Sequence, residues 1–173
     1  MNRSTLRAFA AIASLMAGLG CAESPSAPPA AVAGPVHLLR DPASAPFHAS
    51  RSGSSGTASA VIGPDGGSIV LGGNRIDFPA GALAEPTTIT MRGAPAMYGV
   101  QLEPHGLTFP AGSEPVLTVA YSRRASAGLT RMAIVYVDDR MTILEVLPTQ
   151  WNAQDHTLTA ALHHFSGYLA GGG

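Results

Sequence analysis

From about residue 58 onward, the sequence consists of short runs of alternating or β-branched residues, which Gly, Pro and Asp-Gly signals interrupt every ten residues or so. This spacing is typical of antiparallel strands in an all-β domain. The one helical candidate, Pro79–Ala84, is long enough for a single turn only. Doubly wound nucleotide-binding folds need strands that alternate with long helices, so the pattern excludes them.

Alternation within the runs predicts which residues face a core. In Thr87–Arg92, Ile89 and Met91 share one face, as in a half-buried antiparallel strand. In Val116–Tyr121, the alternate residues Leu117, Val119 and Tyr121 do the same. The other predicted strands are Ala60–Ile62, Gly67–Leu71, Arg75–Phe78, Val100–Glu103, Met132–Val137, Ile143–Leu147, His156–Leu162 and Gly167–Ala170. Hairpin turns are predicted at Asp65-Gly66-Gly67, Gly72-Gly73-Asn74 and Asp138-Asp139. We therefore predict an all-β fold, an antiparallel two-sheet β-sandwich, over residues 58–173.

The first 20 residues have the pattern of an export signal. Arg3 and Arg7 precede the apolar run Ala8–Leu19, and Gly20 precedes Cys21. A run of this length suits a signal peptide, whereas a membrane-spanning helix needs about 20 apolar residues. We predict a signal peptide over residues 1–20.

A basic start, an apolar run and a small residue before cysteine resemble the signal of bacterial lipoproteins. In that family the cysteine is acylated and becomes the mature N-terminus. The resemblance implies lipid attachment at Cys21 and membrane anchoring in the bacterial cell envelope, at the outer membrane or facing the periplasm. Gly18 stands where such signals usually have leucine. The alternatives are an ordinary signal peptide cleaved nearby and a short membrane anchor.

The stretch 21–57 predicts a disordered tether. Ala, Pro, Ser and Gly dominate Ala22–Thr57, and no period of 2 or 3.6 is sustained. Only Val36–Arg40 is apolar enough to pack against a partner. As a random coil, these 36 residues would span roughly 30 Å. We expect a spacer between the membrane and the folded domain.

Charge and cysteine content exclude several functions. Every one of the ten basic residues is arginine, and charged residues make up 12% of the chain. Nucleic-acid binding needs a larger basic surface, so no nucleic-acid partner is expected. A single cysteine excludes an internal disulfide. Without residues 1–20, eight arginines stand against eleven acids, so electrostatic attraction to anionic lipid is not expected to assist the anchor.

Six short motifs follow one another along the predicted domain: Gly66-Gly67-Ser68, Arg75–Leu83, Thr87–Met91, Pro104–Phe109, Pro115–Val119 and His164-Phe165-Ser166. Together they resemble the ZU-five domain of ankyrins, zonula occludens proteins, Unc-five netrin receptors and many secreted bacterial proteins. The run Pro79–Leu83 is the most specific, and the resemblance extends over roughly residues 60–170. It implies a β-sandwich that serves as a scaffold for protein contacts, without a cofactor. The expected partner is an unidentified envelope or extracellular protein.

One motif suggests chemistry. Some relatives in this family cut their own chain between Phe and Ser of a His-Phe-Ser motif. The resemblance then implies that Ser166 Oγ attacks the Phe165 carbonyl, that His164 takes the hydroxyl proton, and that water hydrolyses the resulting ester. Such a reaction needs a strained peptide and an oxyanion donor, which the sequence does not identify. The alternative is that His164 and Ser166 cap the terminal strand and Phe165 fills the core.

The other polar residues predict less. Groups that suit a metal ion occur at His105, His156, His163, His164 and Asp138-Asp139. Adjacent strand residues face opposite sides, so His163 and His164 do not suit one ion, and a turn explains the two acids. We expect Trp151 and Tyr168 to pack in or near the core, and a single tryptophan argues against a carbohydrate site. We therefore predict a non-catalytic, lipid-anchored interaction module, with self-cleavage at Phe165-Ser166 as the alternative.

Overall fold

A computed structural model describes residues 35–41 and 56–173. This part of the chain forms twelve strands and no helix. The predicted signal peptide, Cys21 and the rest of the predicted tether lie outside the described residues. Within the described residues, no helix is long and apolar enough to cross a membrane.

Two antiparallel sheets make up the domain, which confirms the predicted all-β sandwich. The strands are β1 (His37–Leu38), β2 (Thr57–Ile62), β3 (Gly67–Leu71), β4 (Asn74–Phe78), β5 (Thr87–Gly93), β6 (Gly99–Glu103), β7 (Val116–Ala120), β8 (Met132–Val137), β9 (Ile143–Val146), β10 (Gln150–Asn152), β11 (Thr157–Ala161) and β12 (Gly167–Gly172). The larger sheet has seven strands in the order β2-β5-β6-β12-β8-β9, with β1 beside β12. The smaller sheet has five, in the order β10-β11-β7-β4-β3.

The core lies between the sheets, where alternate residues of each strand meet. Ile89 and Met91 are fully buried on β5, whereas Thr88 and Arg92 are exposed. Leu117 and Val119 of β7 in the smaller sheet are buried as well, as is Tyr121, which directly follows that strand. The predicted core faces of both segments are therefore confirmed, and burial of these apolar side chains is the main stabilising contribution to such a fold.

A second apolar cluster lies on the other face of the larger sheet. Leu169 of β12 belongs to it, while its neighbours Tyr168 and Ala170 face the main core. The remaining buried members are Ala94, Met97, Val135 and Val137, and Val36, Leu38, Ile143 and Val146 pack around them. Because β8 is covered on both faces, its sequence Met132–Val137 is continuously apolar rather than alternating.

Residues 35–41, which the sequence places inside the tether, are part of the fold. His37 and Leu38 pair with Gly172 and Gly171 of β12. The strand β6 covers the same edge of β12 only as far as Leu169, so the backbone beyond it is available to β1. Two backbone hydrogen bonds continue the contact, from Leu39 N–H to the Ala170 carbonyl at 2.9 Å and from Asp41 N–H to the Ala96 carbonyl at 2.8 Å. The folded domain therefore includes residues 35–41.

The other predicted strands all form, with shifts at their ends, and three local expectations differ. The short strand β10 was not predicted, because Gln150–Asn152 has no apolar alternation. Pro79–Ala84 forms turns rather than a helical turn. The predicted hairpin around Asp65 is a tight turn that connects β2 of one sheet to β3 of the other. Glycine is required there, because Gly66 has a φ of +81° and an added Cβ would lie 2.3 Å from the Phe78 carbonyl oxygen.

Candidate functional site

The tripeptide His164-Phe165-Ser166 leads into β12 and is held by the segment that follows β6. Phe165 N–H donates to the Leu107 carbonyl at 2.8 Å, and Gly106 N–H donates to the Phe165 carbonyl at 3.1 Å. The Ser166 carbonyl accepts from the backbone N–H of Leu102 at 3.0 Å. The backbone on both sides of the Phe165-Ser166 bond is therefore fixed by regular pairing.

Phe165 fills the core, as one of the two interpretations of the motif predicts. Its side chain is 1% exposed. Its ring meets those of Phe109 and Phe78 edge to face, with centroids 5.0 Å and 5.9 Å away. Edge-to-face contacts of this kind place the positive edge of one ring on the negative face of the next. Phe165 therefore joins the terminal strand to both of the motifs that carry Phe78 and Phe109.

His164 faces a pair of tyrosines. Its ring centroid lies 4.8 Å from that of Tyr136, in an edge-to-face arrangement. Its Nδ1 is 3.3 Å from the Tyr168 hydroxyl, which also donates to the backbone carbonyl of His164. Burial, with smaller contributions from Glu145 and Tyr136, raises the pKa of Tyr168 above its ordinary value. The raised pKa favours the protonated phenol, whose proton is donated to the His164 carbonyl.

Ser166 borders a cavity of about 310 Å³ next to the second apolar cluster. The lining residues are Ala94, Gln101, His105, Tyr136, Val137, Asp138, Asp139, Met141, Ser166, Gly167 and Leu169. His105 and Ser166 therefore line the same cavity. The hydrogen-bond partner described for the His164 imidazole is the Tyr168 hydroxyl, not Ser166.

The backbone N–H of Gly106 is a candidate for the oxyanion donor, which the sequence did not identify. An attack on the Phe165 carbonyl would place negative charge on its oxygen, and the Gly106 N–H already points at that oxygen. A backbone donor carries no residue-specific signal, so only the fold reveals it. The reaction would also need a strained peptide. Among the described residues, positive φ at non-glycine positions occurs at Ala96, Met141 and His156, all outside the tripeptide.

The four histidines considered as metal ligands have different surroundings. The His163 imidazole is exposed, with Nδ1 3.7 Å from Glu114 Oε1. His156 stacks on Tyr121 with a centroid separation of 5.7 Å. His164 and His105 belong to the surroundings of the tripeptide described above. Nowhere in residues 35–41 and 56–173 do three or more His, Cys, Asp or Glu side chains converge as a metal site requires.

The remaining candidates have structural partners. Asp138 Oδ1 accepts the backbone N–H groups of Arg140 and Thr142 at 2.9 and 2.8 Å, as expected for an acid that fixes the β8–β9 turn. Trp151 Nε1 donates to the Tyr121 hydroxyl on the smaller sheet, whereas Tyr168 is buried in the larger one. Both aromatic residues therefore pack in or against the core, as predicted.

Comparison with known proteins does not assign this site. No protein-family model matches the sequence, and no curated protein is significantly similar to it.

Proposed function

We propose that this chain is a lipid-anchored protein of the bacterial cell envelope, whose ZU-five-like sandwich serves as a non-catalytic interaction module. The arrangement of the tripeptide is the observation that supports a non-catalytic role most strongly. Phe165 packs in an aromatic cluster, and the His164 imidazole is hydrogen-bonded to Tyr168. Two of the three side chains of the tripeptide, those of His164 and Phe165, thus have structural partners.

The proposed anchor is the lipid on Cys21, and the proposed partner is an envelope or extracellular protein. The fold supports a display role in one respect, because two antiparallel sheets enclose a core of apolar side chains. Regular strands with loops at both ends of a sandwich are a common scaffold for protein contacts.

Membrane retention tests the anchor. Cells that express the full chain and the Cys21→Ser variant are fractionated, and the distribution of each protein is measured. The proposal expects the parent chain in the membrane fraction and the variant in the soluble fraction. Retention of Cys21→Ser at the level of the parent chain would exclude a lipid on Cys21 as the anchor.

Self-cleavage at Phe165-Ser166 remains the second candidate, because of the hydrogen bond from Gly106 to the Phe165 carbonyl. In that reaction an oxygen–carbon bond forms between Ser166 Oγ and the Phe165 carbonyl carbon, and the carbon–nitrogen bond breaks. A histidine accepts the hydroxyl proton and passes it to the departing amine of Ser166. Water then hydrolyses the ester to a Phe165 carboxylate and a free Ser166 hydroxyl.

The intact mass of the purified chain separates the two functions. Cleavage would release residues 166–173, or leave them bound as a separate strand that denaturation frees. Full-length mass after denaturation supports the non-catalytic proposal. Loss of eight residues that Ser166→Ala abolishes would establish cleavage instead, and His105→Ala and His164→Ala would then identify the proton acceptor.

A further inference from the structure

Charges of the described domain are separated between its two ends. We call the end formed by Pro35, the loop 122–131 and Gly173 the tether end. Gly173 binds this loop through Thr130 N–H, 3.2 Å from the Gly173 carbonyl, and lies beside Pro35. Neighbouring strands are antiparallel, so the β2–β3, β4–β5, β6–β7 and β8–β9 connections all lie at the opposite end.

The tether end carries the basic side chains. Three of the seven arginines in the described residues, Arg123, Arg124 and Arg131, lie in the loop 122–131, which contains no acid. Arg123 and Arg124 are exposed. Two acids lie at this end. Asp41 is buried, and its N–H donates to the Ala96 carbonyl in the β5–β6 connection. Asp155 is exposed, and its carboxylate accepts from the Asn152 side-chain amide at 2.6 Å.

The opposite end carries acids. Its loops contain Asp65, Glu85, Glu114, Asp138 and Asp139. Arg140 is the basic residue among these loops. Between the two ends, Arg75 and Arg92 are each hydrogen-bonded to a carboxylate, Asp77 at 2.7 Å and Glu103 at 3.3 Å, so their charges are locally balanced. Among the described residues, most acids without an arginine partner in the loops therefore lie at the end far from the tether.

The strand β1 determines where the chain leaves the domain toward its N-terminus. Because β1 pairs with the last residues of β12, Pro35 lies at the tether end. Residues 22–34, thirteen positions, separate Cys21 from Pro35. Even fully extended, this stretch reaches at most about 50 Å. A lipid on Cys21 would keep the tether end within that distance of a membrane.

We propose that the exposed arginines of the loop 122–131 bind the anionic headgroups of the membrane in which the chain is anchored, and so orient the sandwich with its acidic end outward. This inference rests on the proposed lipid attachment. The net charge of the mature chain argues against attraction to anionic lipid, but only the charges within about 10 Å of the surface matter at ordinary ionic strength. At the tether end the exposed charges are mainly basic, since Arg40, Arg123 and Arg124 face solvent there against the one exposed acid Asp155.

The experiment uses the mature chain from Cys21 onward, coupled through that single cysteine to a maleimide-bearing lipid. Coupling in vitro makes the result independent of acylation in the cell, which the Cys21→Ser fractionation tests separately. The chain is reconstituted on vesicles of phosphatidylcholine alone or mixed with phosphatidylglycerol. Energy transfer from Trp151, the single tryptophan, to dansyl-labelled lipid reports how closely the domain approaches the bilayer.

We expect more transfer on the anionic vesicles than on the neutral ones. In the double variant Arg123→Gln/Arg124→Gln, we expect the ratio of domains docked on the bilayer to domains held away from it to fall roughly tenfold. The reason is that each arginine near an anionic surface strengthens binding to it several-fold. Arg140→Gln, at the opposite end, is the matched control and keeps the parent behaviour. All three arginines are exposed, and equal urea midpoints will verify that the variants fold. Equal transfer on both lipids, or an equal loss in Arg140→Gln, would overturn the proposal.

Discussion

Phe165→Ala removes the side chain that lies at the centre of the candidate site. Phe165 is 1% exposed and meets the rings of Phe78 and Phe109 at 5.9 and 5.0 Å. Truncating a buried phenylalanine costs about 3–5 kcal/mol. Each aromatic contact contributes about 0.5–1.5 kcal/mol beyond the buried area, and two are lost here. We therefore expect the free energy of unfolding to fall by about 4 kcal/mol.

Urea denaturation followed by Trp151 fluorescence measures this loss. The midpoint should fall while the slope m stays constant, because the surface exposed on unfolding hardly changes. A loss of this size is a large share of the about 5–15 kcal/mol that stabilises a typical domain. If Phe165→Ala does not fold, Phe165→Leu keeps most of the volume and should lose about 1–2 kcal/mol.

Phe109→Ala is the matched control, since Phe109 belongs to the same cluster but is only half-buried. It should lose clearly less than Phe165→Ala. A loss below about 1 kcal/mol for Phe165→Ala, or an equal loss for both variants, would refute the view that Phe165 anchors the terminal strand in the core.

Three further predictions test other parts of the fold. Gly171→Ala places a Cβ 2.5 Å from Val36 Cγ1, so β1 should detach, and trypsin should cut after Arg40 several-fold faster than in the parent chain; unchanged cleavage would contradict the docking of β1. Because the pKa of Tyr168 is raised in the folded state, this tyrosine loses its proton at lower pH in the unfolded chain, and the free energy of unfolding should fall as the pH rises above about 10. Urea titrations of Tyr168→Phe should show a flatter decline. An equally steep decline would disprove that Tyr168 causes it. Asp138→Ala leaves the N–H groups of the β8–β9 turn without their acceptor, so urea denaturation should show a loss of about 1–2 kcal/mol, whereas no loss would show that the turn does not need the carboxylate.

Local patterns predict most of the fold, because most strands are long enough to show their buried face. Gly67–Leu71 and Met132–Val137 form strands with the predicted bounds. The two missed strands are those of two and three residues, β1 and β10. β1 exists because β12 leaves part of its edge uncovered, a condition set by residues more than 130 positions away. No local pattern contains that information.

The candidate site was predicted in part. The motif placed Phe165 in the core, and alternation placed His163 and His164 on opposite sides of the chain, as the fold has them. The sequence did not predict the Gly106 donor, because a backbone N–H has no side-chain signal. It also did not predict that His105 would share a cavity with Ser166, since the two are brought together only by the pairing of the β6 region with β12.

The mass of the N-terminal tryptic peptide, from protein purified out of the membrane fraction of its native host, tests the proposed anchor most directly. The mature chain contains no lysine, and its first arginine is Arg40, so trypsin yields one peptide from the N-terminus to that residue. We predict a peptide that begins at Cys21 and carries acyl chains on it. A peptide that begins elsewhere, or one with an unmodified Cys21, would contradict the lipid anchor on which the proposed function rests.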